Sequence, residues 1–364
     1  MLRHGLQGAK MTSFSPHTSN KSIKGLYYTA MDVYEWKEIE DKFKDGIVLG
    51  NGGSIAIDKL FSYSSLFQHA QEEGLLTENV GKIFDHLNTQ DFELVLRMLW
   101  HAHHINIALE INDSVTSRAY NDLRKALICT IKDIHVEYKD VADRLLAIAN
   151  FLKHFKIVVS LNYDFLVYWS MLVGNTEWSK QWFKDCFING IFEDDWEYLR
   201  KPYDNAGGST LVFYLHGNLV IAADLFGRET KIVTNELDTL METVVAKWES
   251  DKFSPLFVSE GTSNQKLNAI NRSPYLKNVY ESVLPKLGFC IVIFGWSIGD
   301  QDVHILNALC ENKDLKVIAV SICKSDDIAD KCDCIKKRIR EATKSRSIEV
   351  VFFNAASEGC WANP

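Results

Sequence analysis

FKIVVSLNYD, residues 155–164, decides the fold. Ile157, Val158 and Val159 follow one another without alternation, and the run stops at a polar end carrying Asn162 and Asp164. Continuous rather than alternating hydrophobicity marks a strand buried on both faces. Runs of the same kind recur at 46–49 (GIVL), 211–221 (LVFYLHGNLVI), 255–261 (PLFVSEG), 289–296 (FCIVIFGW), 315–322 (LKVIAVSI) and 348–354 (IEVVFFN). Helical sequence separates most of them. The pattern predicts an α/β fold built on a doubly wound, mostly parallel sheet.

Outward from these strands, the organisation is uneven. Residues 1–30 are polar and without periodicity, which predicts a weakly ordered arm, and Met11 and Met31 both fit as start positions. Residues 31–364 then form one domain. Between the first two strand runs, about 64–152 reads as a helical insertion. Phe92, Val95, Leu96 and Leu99 there fall at i, i+3, i+4 and i+7, on one helix face. Residues 167–209, rich in Trp and Phe, are too long for a crossover loop and read as a small aromatic lobe over the sheet.

Composition narrows the function classes. Across 364 residues, 40 basic and 48 acidic side chains give a net charge of -8, which disfavours a dedicated nucleic-acid binder. The eight cysteines contain no CxxC pair, so no structural zinc site is expected. His101, His103 and His104 are the one metal-like cluster, but their helical spacing spreads them over different faces. Without a signal peptide or an apolar span of membrane length, a cytoplasmic protein is the default expectation.

Four strand ends carry the candidate chemistry. GNGGS, residues 50–54, combines a glycine turn with following helical sequence, a context that suits a diphosphate but also a ligand-free left-handed turn. A hydride-transferring site would place an acid ~20 residues on, at the next strand end. Here the next strand run begins only at Phe155, so hydride transfer is disfavoured. SLNYD, residues 160–164, puts Asn162 and Asp164 at the same sheet edge, where Asp164 could equally cap the next helix. YLHGN, residues 214–218, sets His216 before Gly217, where a histidine poised near neutral pH can meet a ligand. FGWSIGD, residues 294–300, again ends a buried strand in Gly295 and Ser297. Asp300 and Asp302 read as helix-capping or first-turn acids and His304 as structural.

GNGGS, SLNYD, YLHGN and FGWSIGD, in this order, resemble the sirtuin-like NAD-binding superfamily, most closely its bacterial zinc-free branch, which includes NADase effectors of phage-defence systems. The likeness covers the strand ends of roughly residues 46–322. It implies a Rossmann-like sheet with NAD as substrate and no metal. It implies that Gly50, Asn51, Gly52 and Ser54 hold the pyrophosphate. Asn162 and Asp164 would then flank the nicotinamide ribose and carboxamide, His216 would be the catalytic base, and Gly295 and Ser297 would hold the adenosine ribose. It also implies a homo-oligomer and a partner subunit, an ATPase or sensor, of a defence system. Two departures count against protein deacylation: the four-cysteine zinc module is missing, and IAIDKLFSYSSLF, residues 55–67, lacks the arginine expected there. FVSEGTS, residues 257–263, resembles a segment of uncharacterised bacterial relatives and receives no role.

Overall fold

The computed structural model describes residues 33–62, 65–203, 206–234, 236–250, 252–258, 260–323, 327–344 and 346–364, together with the backbone of 20–21 and 27–28. The chain divides after Asp32. Before the division, Asn20–Lys21 pairs antiparallel with Tyr27–Tyr28. The rest of the expected weakly ordered arm, 1–30, lies outside the described residues.

The Val33–Pro364 unit is built on one eight-stranded sheet. In chain order its strands are β1 (Val33–Tyr34), β2 (Gly46–Leu49), β3 (Ile157–Ser160), β4 (Phe183–Lys184), β5 (Thr210–Tyr214), β6 (Cys290–Phe294), β7 (Val317–Ile322) and β8 (Glu349–Asn354). Across the sheet they run β1-β8-β7-β6-β2-β3-β5-β4, and every adjacent pair is parallel. β2, β3 and β5 are buried along their whole length, as helices on both faces require. The Rossmann-like α/β class expected from the apolar runs is the observed one.

Two of those runs go elsewhere. Gly217–Asp224 pairs antiparallel with both Glu229–Lys231 and Phe253–Phe257, making a separate three-stranded sheet. LVFYLHGNLVI is therefore a strand, a turn and a second strand, and PLF belongs to the small sheet instead of the parallel one. The turn explains the break. Gly217 sits at φ +73°, and a Cβ there would come within 2.1 Å of the Leu256 carbonyl oxygen. Only glycine permits that approach.

Between β2 and β3 lie the helices Leu66–Glu72, Glu78–Leu87, Phe92–Ala108, Ser114–Ile134 and Tyr138–Leu152. Asp91 caps Phe92–Ala108 by accepting the Leu94 N–H at 3.0 Å, and Phe92, Val95, Leu96 and Leu99 are all buried on its inner face. Asp113 caps Ser114–Ile134 through the Val115 and Thr116 N–H groups. Where these two helices meet, Ile105, Ile107, Leu109, Ile111 and Val115 stay exposed. Within 167–209, the helix Leu166–Glu177 packs against Tyr138–Leu152, and Phe183–Lys184 joins the sheet as its edge strand. The hairpin Phe187–Ile188/Ile191–Phe192 follows. No helix among the described residues is long and apolar enough to cross a membrane.

Candidate functional site

The order of strands fixes where a ligand can sit. From β2 the chain moves outward to β3 and β5, then returns to lay β6 on the other side of β2. Ligands of open α/β sheets bind outside the carboxyl ends of strands at such a reversal. A cavity of about 450 Å³ opens there, within the size range of small-molecule sites. Gly50, Asn51, Gly52, Asn162, Asp164, His216, Gly295 and Ser297 all line it.

The glycines serve a contact that the sequence did not reveal. The Gly50 N–H donates to the Phe294 carbonyl at 2.9 Å, and the Gly52 N–H to the Gly295 carbonyl at 2.8 Å. A Cβ on Gly50 would lie 2.6 Å from Trp296 Cα, and one on Gly295, at φ +65°, would lie 2.3 Å from the Gly53 nitrogen. The two strand-end loops interlock, and their closeness is what demands glycine. Trp361 seals them from behind, its indole N–H donating to the Gly53 carbonyl at 2.9 Å. The Gly53 N–H also has a backbone acceptor, the Gly50 carbonyl. The N–H groups of Gly50 and Gly52, two of the residues expected to hold a diphosphate, are thus already engaged, as is that of Gly53. The helix after the turn, Gly52–Ile55, has only four residues, too few to sum a sizeable dipole.

Ser54 differs most from its expected place. It is fully buried and does not line the cavity. Its hydroxyl donates to Asp164 Oδ2 at 2.5 Å and accepts from Asn162 Nδ2 at 2.9 Å. Asn162 Nδ2 also donates to the Gly50 carbonyl at 3.2 Å, which ties the end of β3 to the glycine loop. Asp164 Oδ1 accepts the Leu166 N–H at 2.9 Å, an Asx-type turn just ahead of the helix Leu166–Glu177, whose N-cap is Phe165, so both carboxyl oxygens are engaged. Burial pushes the Asp164 carboxyl up, against the pull of Ser54 and Leu166. The Asn162 amide is spent on one side only. Its Oδ1 is buried with no hydrogen-bond partner.

His216 follows β5 and is 4% exposed. Its Nδ1 lies 3.2 Å from the Leu161 carbonyl oxygen, an acceptor, so Nδ1 carries the proton and Nε2 is left as an acceptor. Nε2 is buried without a hydrogen-bond partner. Desolvation, helped by Lys266, holds the imidazole down to about 3, so the ring is neutral at neutral pH.

Three further residues of the cavity, Asp302, Lys266 and Glu260, make contacts that no local sequence pattern shows. Asp302 does stand at the N-cap of the helix Val303–Cys310, and its buried carboxylate also lies 4.0 Å from His216 Nε2. Lys266 reaches it from the helix Ser263–Arg272, with Nζ 2.9 Å from Oδ1, and the Trp296 indole N–H lies 3.3 Å from Oδ2. Burial alone would push the Asp302 carboxyl up, but its charged and hydrogen-bonding neighbours hold it below the ordinary value. Glu260, inside FVSEGTS, is the third. Lys266 and Asp302 lie far apart in sequence within polar segments, where pattern gives no sign that they meet. Among the described residues no group of three His, Cys, Asp or Glu side chains could hold a metal ion.

The buried histidines give stability a readable pH dependence. Burial holds His135 and His304 down to about 4, as it holds His216 to about 3, against 6.5 for an ordinary histidine. An unfolded chain takes up protons below pH 6.5 that these rings refuse, so each removes stability as pH falls toward 4. Glu93 and Glu260, pushed by burial to about 8 and 7, act in the opposite sense and lose stability as pH rises. His135→Gln should therefore be less stable than wild type at pH 7 but lose less melting temperature between pH 6.5 and 4. Parallel curves for the two proteins would contradict this.

No curated protein matches the chain. A family model described as a domain of unknown function, DUF4917, matches residues 47–361, a span from the first strand of the cavity to the tryptophan that seals it. The chain belongs to that family.

Proposed function

We propose that this chain is an NAD glycohydrolase that splits NAD into ADP-ribose and nicotinamide. One observation carries the reading: His216 Nε2 and Asn162 Oδ1, both buried acceptors without partners, belong to residues lining the same switch-point cavity. Buried polar atoms left unmatched cost about 1–3 kcal/mol each, and a polar ligand removes that cost. The sirtuin-like resemblance places Asn162 beside the nicotinamide ribose and makes His216 the catalytic base. The N-glycosidic bond breaks through an oxocarbenium-like state, which acceptors beside the ribose and the incoming water stabilise. A neutral His216 can accept a hydrogen bond from either. Asp164, with both oxygens engaged, acts in this account through Ser54 to position Asn162.

The glycine loop is given a smaller share of binding than its sequence suggested, because Gly50, Gly52 and Gly53 already spend their N–H groups. A second reading, a module that binds NAD or ADP-ribose without turnover, is favoured by the low proton affinity of His216, which makes a weak base. Nicotinamide release from purified protein separates the two. A role in phage defence with a partner subunit and self-association are proposed with the first reading, from the resemblance. The exposed run Ile105 to Val115 offers apolar surface for self-association, and a monomer in light scattering at micromolar concentration would remove that part.

A further inference from the structure

The segment FVSEGTS places its glutamate, Glu260, in the cavity wall. Glu260 follows the strand Phe253–Phe257, two residues beyond Val258, whose N–H donates to the His216 carbonyl at 2.8 Å. Glu260 Oε1 accepts the Phe67 N–H at 3.1 Å, from the first turn of the helix Leu66–Glu72. Oε2 is buried with no hydrogen-bond partner. One oxygen is thus fixed by the backbone of the helical insertion, and the other is held unmatched in a residue that lines the site.

We propose that Glu260 is a second catalytic residue of this cavity, the general base that takes the proton of the attacking water; this rests on the NAD-cleaving reading. The step balances. The water oxygen forms the new bond to the anomeric carbon while the N-glycosidic bond breaks. The electron pair of that bond leaves with nicotinamide, whose ring nitrogen loses its positive charge. The water proton passes to the Glu260 carboxylate and then to solvent. His216, neutral and weakly basic, keeps the part of hydrogen-bond acceptor.

The surroundings of Glu260 suit a proton carrier. Burial raises its carboxyl to about 7, opposed by the Phe67 and Leu66 N–H groups and by Lys266, and supported by the Asp91 carboxylate. The same cavity is lined by His216, neutral, and by Asp302, already paired with Lys266. A base near neutrality is the efficient one at physiological pH.

The test is nicotinamide release by wild type, Glu260→Gln, Glu260→Asp and Glu260→Ala between pH 5 and 9, with NAD binding followed by calorimetry. Wild-type turnover is expected to rise with pH through about 7. Glu260→Gln, which can still accept the Phe67 N–H, should bind NAD within a few-fold of wild type yet lose about 10²–10⁴-fold in turnover and the limb near 7. Glu260→Asp should keep part of the activity with a displaced limb, and added formate should partly restore Glu260→Ala. A Glu260→Gln protein with wild-type turnover or an unchanged limb would overturn the proposal and leave the NAD reading standing. A wild type that releases no nicotinamide would overturn both.

Discussion

His216→Ala is expected to lower nicotinamide release by about 10²–10³-fold, the worth of one preorganised hydrogen bond at the reacting centre, while the protein stays folded. The variant removes the unmatched Nε2 acceptor from the cavity. It also removes the Nδ1–H that serves the Leu161 carbonyl, so a stability loss of about 1–3 kcal/mol should accompany it. NAD affinity should fall by no more than about tenfold, the worth of one hydrogen bond at the upper end of its usual range, about 1.4 kcal/mol. Asn162→Ala should lose more affinity, because Nδ2 also braces Ser54 and the Gly50 carbonyl. Release assays beside calorimetric titration distinguish the two variants. Wild-type turnover in folded His216→Ala would remove His216 from the chemistry even with NAD bound.

Lys266→Met should destabilise the protein by about 3–5 kcal/mol, since it strands the Asp302 carboxylate in a buried place. The side chains of the pair are only 8% and 9% exposed, so water cannot take over the missing charge. His216 should titrate higher in this variant, because Lys266 lowers its proton affinity and the remaining Asp302 raises it. Replacing both partners, Lys266→Met with Asp302→Leu, should recover much of the loss, because no unpaired charge then remains. Denaturant unfolding of the four proteins completes the cycle. Additive costs, or a single-variant loss under about 1 kcal/mol, would show that the pair is not coupled as described.

The central sheet was legible because strands covered on both faces must be apolar throughout. β2, β3, β6, β7 and β8 all begin or end within a residue or two of the runs that announced them. The edge strands Val33–Tyr34 and Phe183–Lys184 were not legible, for two residues carry no period. The small antiparallel sheet was missed for a different reason. Tyr214, Leu215 and Leu219 are apolar on both sides of the break, so hydrophobicity alone runs straight through it. The left-handed backbone at Gly217 was the signal available.

The candidate site was legible as strand ends and opaque in its side-chain partners. Gly50, Asn162, His216 and Gly295 could be found because each terminates an apolar run, and parallel strands bring such ends to one edge. What those residues touch depends on packing across 100 residues or more. The Ser54–Asp164 bond spans 110 positions, and no local pattern encodes it. Glycines chosen for contact between two loops look the same in sequence as glycines chosen for a diphosphate. Lys266 sits in SNQKLNAINR, a polar helix that reads as solvated surface until the helix is laid against Asp302.

Product analysis of NAD incubated with the purified wild-type chain tests the proposed activity most directly. Equal amounts of nicotinamide and ADP-ribose are expected, formed at a rate proportional to protein and abolished in Asn162→Ala and His216→Ala. Intact NAD after prolonged incubation, with calorimetry showing that it binds, would contradict hydrolysis and leave a binding module; intact NAD without binding would contradict the assignment of the cavity itself.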